Sequence, residues 1–313
     1  LRATQAGLIR RMLQCLKFPL SELAMLRYLL SVLIWCLVSP VWAAGEKLLI
    51  WQVNTGQAEV VLLGSVHMAY PEIYPLRREI EDAFAAADTL VVEVDISGAN
   101  TQALQQLMLE KGMLPEGESL HQYLSEQTWA DLQTYLRSRA LPVELFARLR
   151  PGLVVTTLSS MRIAESGMRV EWGIDQHFLN RARGHKTVLE LESAQQQIDL
   201  LLDFPEPDLL VSQTLVQLDE IDLYLRPIYD AWRAGDAALL ARLLLEDERE
   251  RFPQFQPVYE RLFDERNRAM TEKIIAYLSG SGRYFVVVGA GHLVGEEGII
   301  ALLAQRGYAA RQL

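Results

Sequence analysis

Two cysteines in 313 residues leave this chain little sulfur chemistry, and both, Cys15 and Cys36, fall within the first 43 residues. Beyond Ala43 the chain has none. That stretch therefore has no disulfide, no thiolate nucleophile and no Cys-ligated zinc. Histidine is scarce too, with five in all. The HExxH pattern of short-motif zinc peptidases is absent, and so is the GxSxG elbow of serine hydrolases. Positive charge is in deficit: the formal net charge is −10 and the pI is near 5.1. That excludes the basic stripe of a nucleic-acid binder. No solenoid-period repeat or low-complexity segment occurs. No apolar run reaches the roughly 20 residues that a comfortable membrane span needs.

What is present begins with a leader. From Met25 to Ala43 the sequence MLRYLLSVLIWCLVSPVWA has a basic start at Arg27 and an apolar run from Tyr28 to Val38. Ser39-Pro40 follows, and then a Val41-x-Ala43 end. This is the layout of a secretory signal peptide, with Ala44 or Gly45 expected as the first residue after cleavage; the alternative is an uncleaved N-terminal anchor. Leu1–Ala24 carries extra basic residues ahead of it, so Met25 is the expected translation start. The expected organisation is residues 1–43 as leader plus N-terminal extension and residues 44–313 as the functional domain, exported to the periplasm or beyond. Five bases (Arg2, Arg10, Arg11, Lys17, Arg27) and one acid (Glu22) fall in the leader, so the remainder carries a formal charge of −14.

Lys47–Val53 and Ala58–Gly64 read as strands joined by a hairpin connection, Asn54-Thr55-Gly56-Gln57. Pro75–Asp88 has helical spacing. Thr89–Asp95, Lys186–Glu192 and Tyr284–Gly291 read as apolar strands, Glu296–Gly307 as a helix closed by Gly307, and the last residues as an edge strand. Between them, about Ala99–Arg169 and Ser193–Leu278 are mostly helical. Continuous apolar strands alternating with helices predict an α/β fold with a mixed, largely parallel central sheet and long helical insertions. In such sheets the working crevice lies beyond the carboxyl ends of the strands.

Those ends carry the ionisable residues. GSVH (Gly64–His67) and GAGH (Gly289–His292) each close a strand with a glycine and place a histidine three residues on. Glu93 and Asp95 end a third strand, Glu190 and Glu192 a fourth, and each pair is expected on one strand face. Acids ending a buried strand must reach a cation, a donor or water. Two imidazoles with two or more carboxylates suit a divalent metal such as Zn, Mn or Co. The bland alternative is that the acids are solvated or cap the next helix, and that His292 simply turns the chain. His121, His177 and His185 read as structural or solvated, Asp175 as a helix cap, and Trp129, Trp172 and Trp232 as core.

The run LLGSVHMAYPEIYPL…IEDAFAAADTLVVEVD resembles the opening of the TraB/GumN (TraB/PrgY/GumN) family. GMLPEGESLHQYLSEQTW, GIDQHFLNRA, VLELESAQQQIDLL, AWRAGD, ERNRAM and VVVGAGHLVGEEGIIALLAQRGY match in the same order, from about Lys47 to Leu313. The resemblance implies a fold related to the erythromycin-esterase and ChaN-like proteins, and kinship with Tiki-type metalloproteases that carry paired GxxH motifs. It marks Gly64, His67, Glu93, Glu192, Gly289 and His292, together with Arg266-Asn267 of ERNRAM, and prefers Glu93 over Asp95 and Glu192 over Glu190. Arg148–Gly152 (RLRPG) departs from the family pattern.

These marks translate into roles: His67, His292 and Glu192 as ligands of a divalent metal, and Glu93 as proton acceptor, with Glu93 and Glu192 exchangeable. Arg266 and Asn267 would stabilise the reacting oxygen. The expected protein is an exported metal-dependent hydrolase, peptidase-like, acting on a peptide or protein. It would have no nucleic-acid partner and no stable membrane span after leader cleavage. The alternative is a non-catalytic periplasmic factor that binds a peptide or partner in the same crevice.

Overall fold

A computed structural model describes residues 47–95 and 99–313, with the side chains of residues 99–105 outside that description. The anticipated leader, residues 1–43, lies outside the described residues. Apolar, β-branched runs bounded by turn residues form the strands. The first two, β1 (Ile50–Asn54) and β2 (Ala58–Ser65), pair antiparallel. Gly56 turns the connection in the left-handed region, at φ 85°. Helix α1 (Arg78–Ala86) buries Ile80 and Phe84, four apart on one face, and leads to β3 (Thr89–Val92).

A long helical excursion follows, with α2 (Ala99–Gly112), α3 (Glu126–Ser138), α4 (Pro151–Glu165) and α5 (Ile174–Ala182). Strand β4 (Thr187–Glu190) precedes a second excursion through α6 (Ala194–Leu202) and α7 (Pro207–Arg233). Two π-helical turns, Arg242–Glu246 and Glu260–Asp264, lie between α7 and α8 (Glu265–Leu278). Strand β5 (Gly282–Gly289), the short helix α9 (Ala290–Leu293), α10 (Ile299–Gln305) and β6 (Arg311–Gln312) complete the chain.

The sheet order is β4-β3-β5-β2-β1-β6. Strands β4, β3, β5 and β2 run parallel, and β1 and β6 add antiparallel at one side. This is the mixed, largely parallel α/β sheet anticipated above. The β3 and β5 interiors, Leu90, Val91 and Phe285–Val288, are fully buried, as strands covered on both faces must be. The last strand in the parallel set, β5, inserts between β2 and β3, so Ser65 pairs with Gly289 and Val92 with Val287. That register brings three strand ends side by side.

The strands stop earlier than the apolar pattern suggests: β3 at Val92, β4 at Glu190 and β5 at Gly289. Past those points the alternation of faces no longer applies. Glu190 accepts a hydrogen bond from the Asp95 amide at 2.6 Å, whereas Glu192 turns to a different partner. Glu190 and Glu192 therefore serve different partners. His292 lies in α9, not in an irregular turn.

Three apolar clusters support this frame. The largest holds the sheet and its covering helices, including Phe84, Phe178, Phe285 and Ile274. A second unites α3, α4 and α7 through Leu132, Leu136, Val154 and Leu218. A third is small and aromatic, around Phe255, Val258 and Tyr259. Arg148 donates to the carbonyls of Glu118 and Leu114, and Arg150 pairs with Asp203, so the RLRPG departure is spent on bracing the helical excursion. Among the described residues no helix is long and apolar enough to cross a membrane.

Candidate functional site

At the carboxyl ends of β2, β3 and β5, His67, Glu93 and His292 converge on Gly289. A Cβ built on that glycine would stand 3.3 Å from Glu93 Oε1, 3.5 Å from His292 Cδ2 and 3.8 Å from His67 Nε2. Glycine at this point leaves a small cradle between two imidazoles and a carboxylate that any side chain would fill. Gly64, opposite Val288 in the sheet, lies against Ala290 of α9.

Each histidine is held from its outer nitrogen. Asp175 Oδ2 lies 2.9 Å from His67 Nδ1, and its other oxygen accepts from Ser65 Oγ at 3.0 Å. Asp175 is buried in the first turn of α5; the helix N-cap is Gly173, so Asp175 orients a histidine and does not cap the helix. Gly173 is needed because a Cβ there would stand 2.4 Å from the His67 carbonyl oxygen. On the other side, Asn267 Oδ1 lies 2.6 Å from His292 Nδ1, and Asn267 Nδ2 donates to the Glu297 carbonyl. The amide's donor is thus committed, so Oδ1 accepts and His292 carries its proton on Nδ1. With its proton on Nδ1, His292 turns a free Nε2 lone pair to the cradle, whereas His67 offers its Nε2 only after the imidazolium has lost a proton.

The environments of the two rings differ. His292 is 5% exposed and packs against Phe263 at 5.4 Å between ring centres. Burial pushes its pKa down to about 4, so the ring is neutral at pH 7. The His67 side chain is 66% exposed. The Asp175 carboxylate raises its pKa to about 9 against the opposing effect of burial.

The two carboxylates are joined by one guanidinium. Glu93 Oε1 accepts from the Gly289 amide at 2.6 Å and lies 3.9 Å from His292 Nε2. Glu93 Oε2 accepts from Arg266 Nη2 at 2.7 Å. Glu192 takes Arg266 Nε at 2.8 Å on Oε1 and Nη2 at 2.6 Å on Oε2. Gln197 Nε2 donates to both acids, at 3.1 and 3.0 Å. Burial works to raise the Glu93 pKa, but His292, His67, Arg266 and the Gly289 amide outweigh it and hold the pKa below the usual carboxylate range. Arg266 loses hydration on burial, yet the two acids keep it firmly charged.

The structure therefore gathers His67, Glu93 and His292 directly, and sets Glu192, Arg266 and Asn267 one contact further out. Gln197, Ser65 and the orienting role of Asp175 are not read from the sequence. Their signals were GID after an apolar turn and the glutamine run AQQQ at a helix start; neither names its partner. Among the described residues no three His, Asp or Glu side chains already stand close enough together to hold an ion. The donor set still fits one. Two imidazoles have their Nδ1 atoms fixed by acceptors, as metal-ligating histidines do, and the space between them is kept open by Gly289.

Elsewhere, His121 stacks on Trp129 and contacts Glu126, and His177 packs against Tyr74 and Phe178. Trp232 is buried and donates to the Gly64 carbonyl at 2.8 Å. Trp172 departs from its expected core placement and is 40% exposed, because the short helix that carries it runs along the rim beside Tyr74.

A family model described as "TraB/PrgY/gumN family" matches residues 49–312. The chain is similar to the Escherichia coli (strain K12) protein named "Uncharacterized protein YbaP", with 30% identity over 79% of this chain and 89% of that one. It is also similar to a Nematostella vectensis "Metalloprotease TIKI homolog", at 24% identity over 78% of this chain and 63% of that one. A Danio rerio protein named "Metalloprotease TIKI1" is 22% identical over 79% of this chain and 59% of its own length. No solved structure matches.

Proposed function

This chain belongs to the TraB/PrgY/gumN family, and from that premise and its site geometry we propose that it is a metal-dependent hydrolase of amide bonds, exported by the leader at residues 1–43. The observation that carries this reading is the cradle at Gly289, which faces His67, Glu93 and His292 together. The distant relatives named as metalloproteases support the same class of chemistry.

His67 Nε2, His292 Nε2 and Glu93 Oε1 would hold the ion, since Glu192 has both oxygens on Arg266. This exchanges the two glutamates relative to the expectation from sequence. A divalent cation of the Zn, Mn or Co type supplies Lewis acidity, polarising a carbonyl and easing deprotonation of water. The protein's own groups prepare for that. Asp175 Oδ2 holds the His67 Nδ1 proton and Asn267 Oδ1 the His292 Nδ1 proton, which fixes both rings with Nε2 inward. Arg266, gripped at two points by Glu192, places Nη2 beside Glu93 Oε2, and Gln197 donates to both acids. There it offsets negative charge that builds on a substrate oxygen. Phe263 shields the His292 side of the cradle from water.

Metal analysis of the purified protein tests the ligands. One equivalent of Zn, Mn or Co that is lost in His67→Ala, His292→Ala and Glu93→Gln but kept in Glu192→Gln is the expected pattern. Retention of metal in both histidine variants sinks it. Digestion of a peptide library with and without chelator then tests the reaction, and chelator-sensitive cleavage is the expected result.

A further inference from the structure

A cavity of about 400 Å³ is lined in part by Phe263, whose ring packs on His292, and its volume is within the range of roughly 300–1,000 Å³ typical of ligand pockets. It opens where the three apolar clusters meet. Helix α7 lines it with Gln213, Leu218 and Ile221, and α4 contributes Val155. The opposite wall comes from the two π-helical turns, through Leu244 of Arg242–Glu246 and Phe263 of Glu260–Asp264. Such turns are rare and concentrate at functional sites. Here both serve one cavity, and Arg249, in the helical turn Asp247–Arg251 that follows the first, makes a bidentate pair with Asp264 of the second. Phe263 faces both ways, lining the cavity and packing on His292.

One wall residue is unaccounted for by packing. Gln213 is 6% exposed, and neither its Oε1 nor its Nε2 has a hydrogen-bond partner among the described residues. A buried, unpaired carboxamide is costly and calls for an explanation. It carries one acceptor and one donor group, the complement of a peptide unit. The lining is mostly apolar, and of its other polar groups Gln217 is paired with Glu248 and Thr214 with the Leu210 carbonyl, which leaves Gln213 as the unpaired amide, suited to an apolar group next to a backbone amide and not to a plain hydrocarbon chain.

We propose that this cavity is the side-chain pocket for a peptide substrate. It takes a large apolar side chain, pairs Gln213 with that residue's backbone amide, and leaves the chain to continue past Phe263 towards His67 and His292. The substrate class thus becomes peptides with a bulky apolar residue beside the bond to be cut, and this rests on the hydrolase reading above.

The test is equilibrium binding of N-acetyl-L-phenylalaninamide to the intact protein, with N-acetylglycinamide and decanoate as comparison probes. The phenylalanine amide should bind measurably and the glycine amide should not. Gln213→Leu should weaken the phenylalanine amide about tenfold, the scale of a typical net hydrogen-bond contribution. Ile221→Trp, which fills the cavity from α7, should abolish its binding, and Val155→Phe serves the same purpose if that variant does not fold. In library digestion the filled variant should lose its preference for large apolar residues. Equal binding of the two amides, binding of decanoate at least as tight, or indifference to both substitutions overturns the proposal. Intact selective binding without chelator-sensitive cleavage sinks the hydrolase reading and leaves the pocket standing.

Discussion

Two histidines in matched sequence settings end up with opposite protonation. His67 is held near pKa 9 by Asp175, while burial takes His292 down to about 4. Metal uptake must displace a proton from the first and none from the second. The affinity for Zn should therefore rise about tenfold per pH unit from pH 6.5 to about 9 and then level off. Competition titrations across that range read the slope, and a flat profile would count against His67 as a ligand. Asp175→Asn keeps the shape but weakens the acceptor for the Nδ1 proton, so the affinity should fall about 10–100-fold, the usual effect of losing such an outer partner. Glu192→Gln should spare metal content but lower turnover, because Arg266 loses its two-point anchor.

At the scale of elements, α8 and α5 position the site from opposite sides. Consecutive residues on α8 diverge around the helix, so Arg266 reaches the carboxylates while Asn267 reaches His292. The start of α5 lies close against the His67 backbone at Gly173. Gly173→Ala forces a Cβ to 2.4 Å from the His67 carbonyl, and the required separation should cost about 1–3 kcal/mol. Urea unfolding measures that loss, and the metal affinity should fall with it because His67 and Asp175 move apart. The strand ends were less visible than the strands. Apolar runs mark Leu90–Val92 and Phe285–Val288 plainly, but an acid after such a run does not show where hydrogen bonding to the neighbour stops. That is why Glu190 and Glu192 were expected on one face and are found with separate partners.

At the scale of the molecule, the two histidines shape the stability profile of the metal-free protein. A folded pKa of about 9 against 6.5 unfolded means that His67 stabilises fully below pH 6.5 and loses that contribution as pH rises through 9. A folded pKa of about 4 against 6.5 means that His292 resists protonation in the folded state. Its contribution is present above pH 6.5 and lost as pH falls through 4. The pair should therefore place a stability maximum near pH 6.5. Thermal unfolding of His67→Gln should show a flatter alkaline limb, and of His292→Gln a flatter acid limb; unchanged limbs would refute the assignment.

The residue order alone determined the class of fold, the absence of cysteine beyond Cys36, and the two glycine–histidine strand ends. Those are local properties: hydrophobic period, turn residues and composition. Which acid stands between the histidines, what holds each ring and where Gln213 is stranded were decided by tertiary structure. Strand β5 inserts between β2 and β3 and sets Gly289 level with Ser65 and just beyond Val287, the partner of Val92. That register, fixed by long-range pairing of buried strands, puts Glu93 beside the histidines and leaves Glu192 to hold Arg266.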